Sequence, residues 1–337
     1  MPVPGTPLAQ LGFLTIGTFD PADPGPGHEA TLAMVERGEQ LGFDSAWVRH
    51  RHLQHGISAP VAVLAAATQR TRRIGLGTAV TPLAWENPLR LAEDLATVDV
   101  LSGGRLTPGV SVGPPMHWDD VRDALYPDTA DREDFTYARV ERLLRFLRGE
   151  RASTFSGREG VVEEWSDHVQ PHSPGLAGRT WYGGGSLRSA QWAGEHGLHL
   201  LTSSVVKAEE SEDFAGIQAS HVRAFRAANP TGRVSQGLVV IPTDGATPEQ
   251  RARYTAYVEA RTPRTTAPQG PARLLFARDL IGSSEDIAEQ LYAHAGFREV
   301  DEVVFALPFD FAPADHVQIL TDVATRLGPA LGWQPSS

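Results

Sequence analysis

The chain contains no cysteine. Disulfides, thiolate metal sites and cysteine nucleophiles are therefore excluded, while the redox compartment stays open. Basic charge is in deficit. Against 41 Asp and Glu stand 30 Lys and Arg, a formal net charge of −11. Nucleic acid and anionic membrane carry dense negative charge of their own and make poor partners for such a chain. Long apolar runs are missing too. Stretches such as Pro60 to Ala67 fall far short of the ~20 residues that cross a bilayer. The opening MPVPGTPLAQ has no basic region followed by an apolar one, so no secretory signal is expected. A soluble, cytoplasmic protein is the expectation.

What is present is alternation. Short apolar runs at Leu11–Ile16, Ala46–Arg49, Ile74–Val80, Leu106–Val112, Thr180–Tyr182, Leu198–Thr202, Val234–Pro242 and Glu302–Leu307 read as strands. Helical periodicity separates them, for example over His28–Leu41, Pro60–Arg70, Pro88–Leu101 and Asp134–Leu147. Further helices are expected within Glu209–Ala228 and over Leu187–His196, Pro248–Ala260, Ser284–Ala295 and Pro313–Leu327. About eight strand-then-helix units predict a parallel sheet and favour a closed (β/α)8 TIM barrel. One domain over residues 1–337 is expected, with irregular insertions near 151–178 and 262–277. The Pro- and Thr-rich part of the second, Thr262–Pro271, reads as a mobile loop.

Barrel chemistry sits where strands end, which selects four places. The first is Arg49-His50-Arg51-His52 after the second strand. Imidazoles there can exchange protons and guanidiniums can clamp anions. Alternation puts His50 and His52 on one side and Arg51 on the other. No acidic partner stands at a recognisable spacing from His50, His52 or His55, so no metal site is expected. The second is Gly183-Gly184-Gly185-Ser186, which opens a helix. Glycines admit a ligand to the backbone, free N–H groups attract an anion, and Arg188 in the first turn adds charge. The pattern is neither a Walker loop nor a dinucleotide fingerprint, and a plain capped turn would look the same. The third is Gly77-Thr78-Ala79-Val80-Thr81-Pro82 at the end of strand three, where small residues leave room for a flat ligand or simply pack against the barrel. The fourth follows strand four, where Ser111 and His117 offer polar lining and Trp118 a cover. The paired Glu209 and Glu210 read as solvated. Phe13, Trp47, Trp85 and Trp118 suggest an apolar pocket.

Taken together these segments resemble the bacterial-luciferase-like flavin-dependent monooxygenases. The likeness runs through LGFDSAWV (Leu41–Val48), GTAV (Gly77–Val80), NPLRLAEDLATVDVLSGGR (Asn87–Arg105) and TWYGGGS (Thr180–Ser186). It resumes at LIGSSEDIAEQL (Leu280–Leu291) and VDEVVFALP (Val300–Pro308). The family implies a TIM barrel that commonly forms a homodimer and binds reduced FMN delivered by a separate reductase. It implies oxygenation of a small organic substrate by O2 through a C4a-(hydro)peroxyflavin. By motif, Ala79 and Val80 correspond to the pair that backs the flavin ring, often through a non-prolyl cis peptide. Ser111 corresponds to a position near the ring, and Gly183, Gly184, Gly185 and Ser186 to the phosphate loop.

Two positions depart from the family. Arg51 replaces its central histidine, and arginine stays cationic at neutral pH. Proton transfer would then fall to His50 or His52. Val112 stands where luciferases carry a phosphate-binding arginine. Two alternatives accompany the monooxygenase expectation: hydride transfer with the deazaflavin F420 on the same fold, and a flavin-binding relative without catalysis. Of the Ile74–Arg105 run, Leu91–Arg105 is expected to be scaffold.

Overall fold

A computed structural model of the protein describes residues 7–336. The outermost ends of the expected domain, residues 1–6 and 337, lie outside the described residues.

Parallel strands follow one another as Gln10–Thr15, Ser45–Val48, Gly75–Thr78, Leu106–Thr107, Trp181–Gly183, His199–Thr202, Val234–Gln236 and Glu302–Ala306. The first pairs with both the second and the eighth, Phe13 lying opposite Ala46 and Phe305. The third and fourth strands are each broken once. The third resumes at Thr81–Pro82 and the fourth at Gly109–Ser111. Their first pieces pair through Leu76 and Leu106, their second through Thr81 and Val110. The sheet therefore closes on itself through these two interrupted strands and forms the eight-stranded barrel that the alternation predicts. Pro108 lies in the break of the fourth strand, where it cannot donate to the ladder, although its carbonyl accepts the Trp181 N–H at 2.8 Å.

Ten helices of eight or more residues are found among the described residues. Those flanking the first half of the barrel are α1 (Gly25–Gln40), α2 (Pro60–Arg70), α3 (Pro88–Ser102), α4 (Trp118–Leu125) and α5 (Tyr137–Leu147). The second half carries α6 (Leu187–Glu195), α7 (Phe214–Ala228), α8 (Pro248–Arg261), α9 (Ser284–Ala293) and α10 (Pro313–Asp322). Asn87 caps α3, its side chain accepting from the N–H groups of Leu89 and Arg90, and Pro88 follows at the first helical position. On α5, Val140, Leu143, Leu144 and Leu147 are buried at helical spacing, as the sequence pattern requires. None of the described helices is long and apolar enough to cross a membrane.

Inside the ring, Trp47 and Trp181 meet edge to face at 5.7 Å, and Leu201 and Val304 pack with them. Gly77 makes this packing possible, because a Cβ there would stand 2.2 Å from the Trp47 ring. Arg233 closes the lower rim, bonding Glu302 at 2.8 Å and lying 5.0 Å over Trp181.

The two insertions differ in order. Residues 151–178 carry a short hairpin, Gly157–Glu159 against Glu163–Trp165. Within 262–277 the expected loop is only part of the segment. A 3-10 turn at Thr262–Thr265 leads to a strand, Leu274–Phe276, antiparallel to Val205–Lys207. Lys207 N–H in turn donates to Gly185 O at 2.7 Å. The insertion is thus tied by backbone pairing to the loop after the fifth strand.

Candidate active site

Val80 links two of the expected places. Ala79 and Val80 join in cis and sit between the two pieces of the third strand. A Cβ on Gly183 would lie 2.9 Å from Val80 Cγ1, so only glycine lets the fifth strand pass so close to this corner. Beside the corner, the buried Thr81 hydroxyl has no hydrogen-bond partner among the described residues. Ser111 is half-buried at the end of the neighbouring strand, opposite Pro82. Ala79, Val80, Ser111 and Gly183 therefore stand at adjoining strand ends.

The helix opened by the glycines is α6. Ser186 caps it in a reciprocal arrangement with Ser189, and Arg188 is exposed on the first turn. Gly185 has no neighbour closer to a notional Cβ than 4.0 Å, leaving the backbone open to a ligand. One N–H is already engaged, because Leu187 donates to the Glu209 carboxylate at 3.0 Å. Glu209 is exposed, as expected, but it is not merely a solvated charge. It occupies the anion position of this helix terminus. The glycine loop fits a phosphate in shape; Glu209 opposes one in charge.

His50 and His52 lie on one side, as alternation predicts, with ring centroids 4.3 Å apart. His50 is buried, and neither of its ring nitrogens has a hydrogen-bond partner among the described residues. Burial, reinforced by the neighbouring His52, holds its imidazole down to about 3. Burial also lowers His52, which stacks on Trp85 at 4.0 Å.

The acidic partner that sequence spacing did not reveal is Glu86. Its Oε1 lies 3.9 Å from His50 Nε2. One nitrogen or oxygen from each of His50, His52 and Glu86 falls within 4.8 Å of the others. Burial pushes the Glu86 carboxyl up to about 7, with Asp94 adding repulsion and Arg139 opposing it. The carboxyl that holds its proton near neutrality is a candidate acid or base, with the two imidazoles beside it but not hydrogen-bonded to it. The same trio has the donor types of a divalent-cation site. His55 is exposed and stands apart from it.

Arg139 positions this group. Only 3% exposed, it donates to Leu83 O and Glu86 O, both at 2.8 Å, and to the Tyr126 hydroxyl at 2.6 Å. A single guanidinium thus fixes the turn that carries Trp85 and Glu86.

Arg51 turns away from the histidines. Its Nη1 approaches Met116 Sδ at 3.7 Å, and it lines a cavity of about 250 Å³ with Ile16, Phe309 and Asp310. The other aromatic expectations divide. Phe13 and Trp47 are core residues rather than pocket lining. Phe13 packs against Phe43 at 5.2 Å, and Trp47 fills the ring interior. Trp118 is half-buried against Phe135 at 4.9 Å, and His117 is exposed just before α4.

Residues 10–299 match the family model described as luciferase-like monooxygenase. The chain belongs to the luciferase-like monooxygenase family. A 4-hydroxyprotoasukamycin monooxygenase of Streptomyces nodosus subsp. asukaensis is 34% identical over 137 residues, 39% of this chain and 35% of that protein. An F420-dependent glucose-6-phosphate dehydrogenase of Amycolatopsis mediterranei is 33% identical over 118 residues, 33% of this chain and 34% of that one. The chain thus spans about a third of the length of these curated relatives. A solved structure of the family fold is the oxygenating constituent of 3,6-diketocamphane monooxygenase from Pseudomonas putida in complex with FMN. It aligns with a TM-score of 0.67 at 14% identity, covering 95% of this chain and 98% of that one.

Proposed function

We propose that the protein is a flavin-dependent monooxygenase that uses reduced FMN from a separate reductase and O2 to oxygenate a small organic substrate. The observation that carries this reading is the contact of Val80 with Gly183, which joins the Ala79–Val80 corner to the glycine loop. A flat ring system on the corner and a phosphate at the loop would occupy neighbouring strand ends. Ala79, Val80 and Ser111 would border the ring. Gly183, Gly184, Gly185 and Ser186, with Arg188, would receive the phosphate once Glu209 withdraws.

Reduced flavin, when bound, supplies the electrons that activate O2. The chain's own residues hold the proton and exclude water. His50 stays neutral at pH 7, and Glu86, whose carboxyl titrates near that pH, is the group that can take up and give back a proton. Trp85 covers His52 and keeps the pair ordered. Arg51 contributes a fixed positive charge in the adjoining cavity. A homodimer and a cytoplasmic location belong to the same proposal.

The second reading, hydride transfer with F420, is favoured by the F420-dependent relative. Anaerobic spectral titration with reduced FMN and reduced F420 separates the two. Tight FMN binding followed by flavin-dependent O2 consumption supports the first. F420 binding without O2 consumption replaces it with the second.

A further inference from the structure

Across the ring from α6, around the ends of strands one, two and eight, four arginines converge. Arg49 lies 5.2 Å from the Phe309 ring and Arg261 5.6 Å from the same ring. Arg264 lies 4.6 Å from Phe276, and Arg51 lines the cavity that Phe309 borders. Of the four, Arg261 alone makes an ion pair within 4 Å among the described residues. It holds Asp279 through two contacts, one of them at 3.1 Å. The same Asp279 carboxylate also attracts Arg264 from further off. Arg49, Arg51 and Arg264 have no carboxylate within 4 Å among the described residues. The Arg264 Nε is buried without a partner.

The remaining titratable groups at the cavity are His55 and Asp310, both exposed. Three like charges left facing one another in a chain of net charge −11 require a reason. Burial and mutual repulsion push the Arg49 guanidinium down to about 10. An anion relieves both costs, because guanidinium–oxyanion hydrogen bonds are among the strongest that side chains form.

We propose that Arg49, Arg51 and Arg264 bind an oxyanion group of the substrate: a carboxylate, sulfonate or phosphate. The substrate class is thus an organic anion. The catalytic part of this inference rests on the oxidoreductase reading above. The binding part does not, and the experiment keeps them apart.

Calorimetric titration of the full chain at constant ionic strength uses sulfate, benzoate and the neutral control benzamide. Sulfate or benzoate binds while benzamide does not. Arg49→Gln and Arg264→Gln each weaken the anion by about tenfold or more. Arg264→Lys keeps part of the affinity. Affinities for FMN and F420 stay within about twofold of the parent. The thermal midpoint of Arg264→Gln does not fall, since a repulsive charge leaves; a purely structural arginine would lower it. Binding of neither anion overturns the proposal, as does equal binding of benzoate and benzamide. Loss of FMN or F420 affinity in parallel with the anion also overturns it, by assigning the arginines to the cofactor's phosphate. Failure of the wild type to bind either cofactor would instead sink the oxidoreductase reading and leave the anion titration standing.

Discussion

Glu209 offers a direct measure of whether a phosphate is bound at α6. Its carboxylate accepts the Leu187 N–H at 3.0 Å, in the first turn of the helix. A phosphate on the same turn would stand within roughly 4–6 Å of that carboxylate. In water, unit charges about 4 Å apart repel by about 1 kcal/mol, and a phosphate monoester carries about −1.5 to −2 at pH 7. Removing the carboxylate charge should therefore favour FMN by ~1–2 kcal/mol, about five- to thirtyfold in affinity. Glu209→Gln is the appropriate change, because the amide oxygen can still accept from Leu187. Its expected stability cost is only the lost charge–dipole term, ~0.3–1 kcal/mol. Fluorescence titration with FMN and with riboflavin, which lacks the phosphate, gives the assay its control. FMN should tighten at low salt, riboflavin should not, and the difference should shrink as salt screens it. Equal changes for the two ligands, or none for FMN, would refute a phosphate at α6.

Gly183→Ala places a methyl group 2.9 Å from Val80 Cγ1; flavin affinity should fall at least about tenfold, with an overpacking cost of ~1–3 kcal/mol by urea denaturation. Arg139→Met should cost ~2–4 kcal/mol by the same measurement, because it orphans Glu86 O, leaves Leu83 O with the Glu86 N–H alone and breaks the ion pair with Glu133; a loss below about 1 kcal/mol would mean that the turn holds itself. For Glu86 the folded carboxyl is raised to about 7 from 4.5, so its stabilising contribution is complete below pH 4.5 and is lost as pH rises through 7. His50 runs the other way: lowered from 6.5 to about 3, its contribution is complete above pH 6.5 and is lost as pH falls through 3. Glu86→Gln should therefore lessen the decline in urea midpoint between pH 4.5 and 7, to which the buried Glu302, also raised to about 7, contributes as well, and should erase a turnover transition near pH 7; an unaltered pH–rate profile would remove Glu86 from proton transfer.

The barrel was legible because strand–helix alternation is a local, periodic signal, and each of the eight strands falls within a few residues of its apolar run. The two breaks were not. Nothing local in Ile74–Val80 announces that its ladder stops at Thr78 and resumes at Thr81. The strands at Leu274–Phe276 and Leu280–Gly282 were hidden because one follows a Pro- and Thr-rich stretch and both are only three residues long. In the site, Gly183, Val80 and the two histidines could be named from residue type and position at strand ends. Glu86 could not, since it lies 34 residues beyond His52 and meets it only through the pairing of strands two and three. Arg139 was masked by its setting on an amphipathic helix, where an arginine between apolar positions reads as solvent-facing. The Asn87-Pro88 start of α3 was a usable clue to Glu86, because a capped helix fixes the residue just before it.

The charges around the mouth then carry an argument about order. The barrel places its uncompensated cations near strands one, two and eight, and its helix terminus at strand five, already satisfied by Glu209. Under the proposed reading two anionic ligands approach one opening, the phosphate of the cofactor toward α6 and the oxyanion of the substrate toward the arginines. Distance and competition decide the outcome. A phosphate that first displaces Glu209 gains the glycine loop, whose shape no other strand end offers. A substrate oxyanion gains three guanidiniums and displaces nothing. The substrate side is therefore the easier to fill, and at low salt an excess of organic anion should slow FMN loading by occupying the opening. That inhibition should weaken in Glu209→Gln, where the cofactor no longer has a carboxylate to displace, and stopped-flow FMN binding with and without benzoate reads it directly.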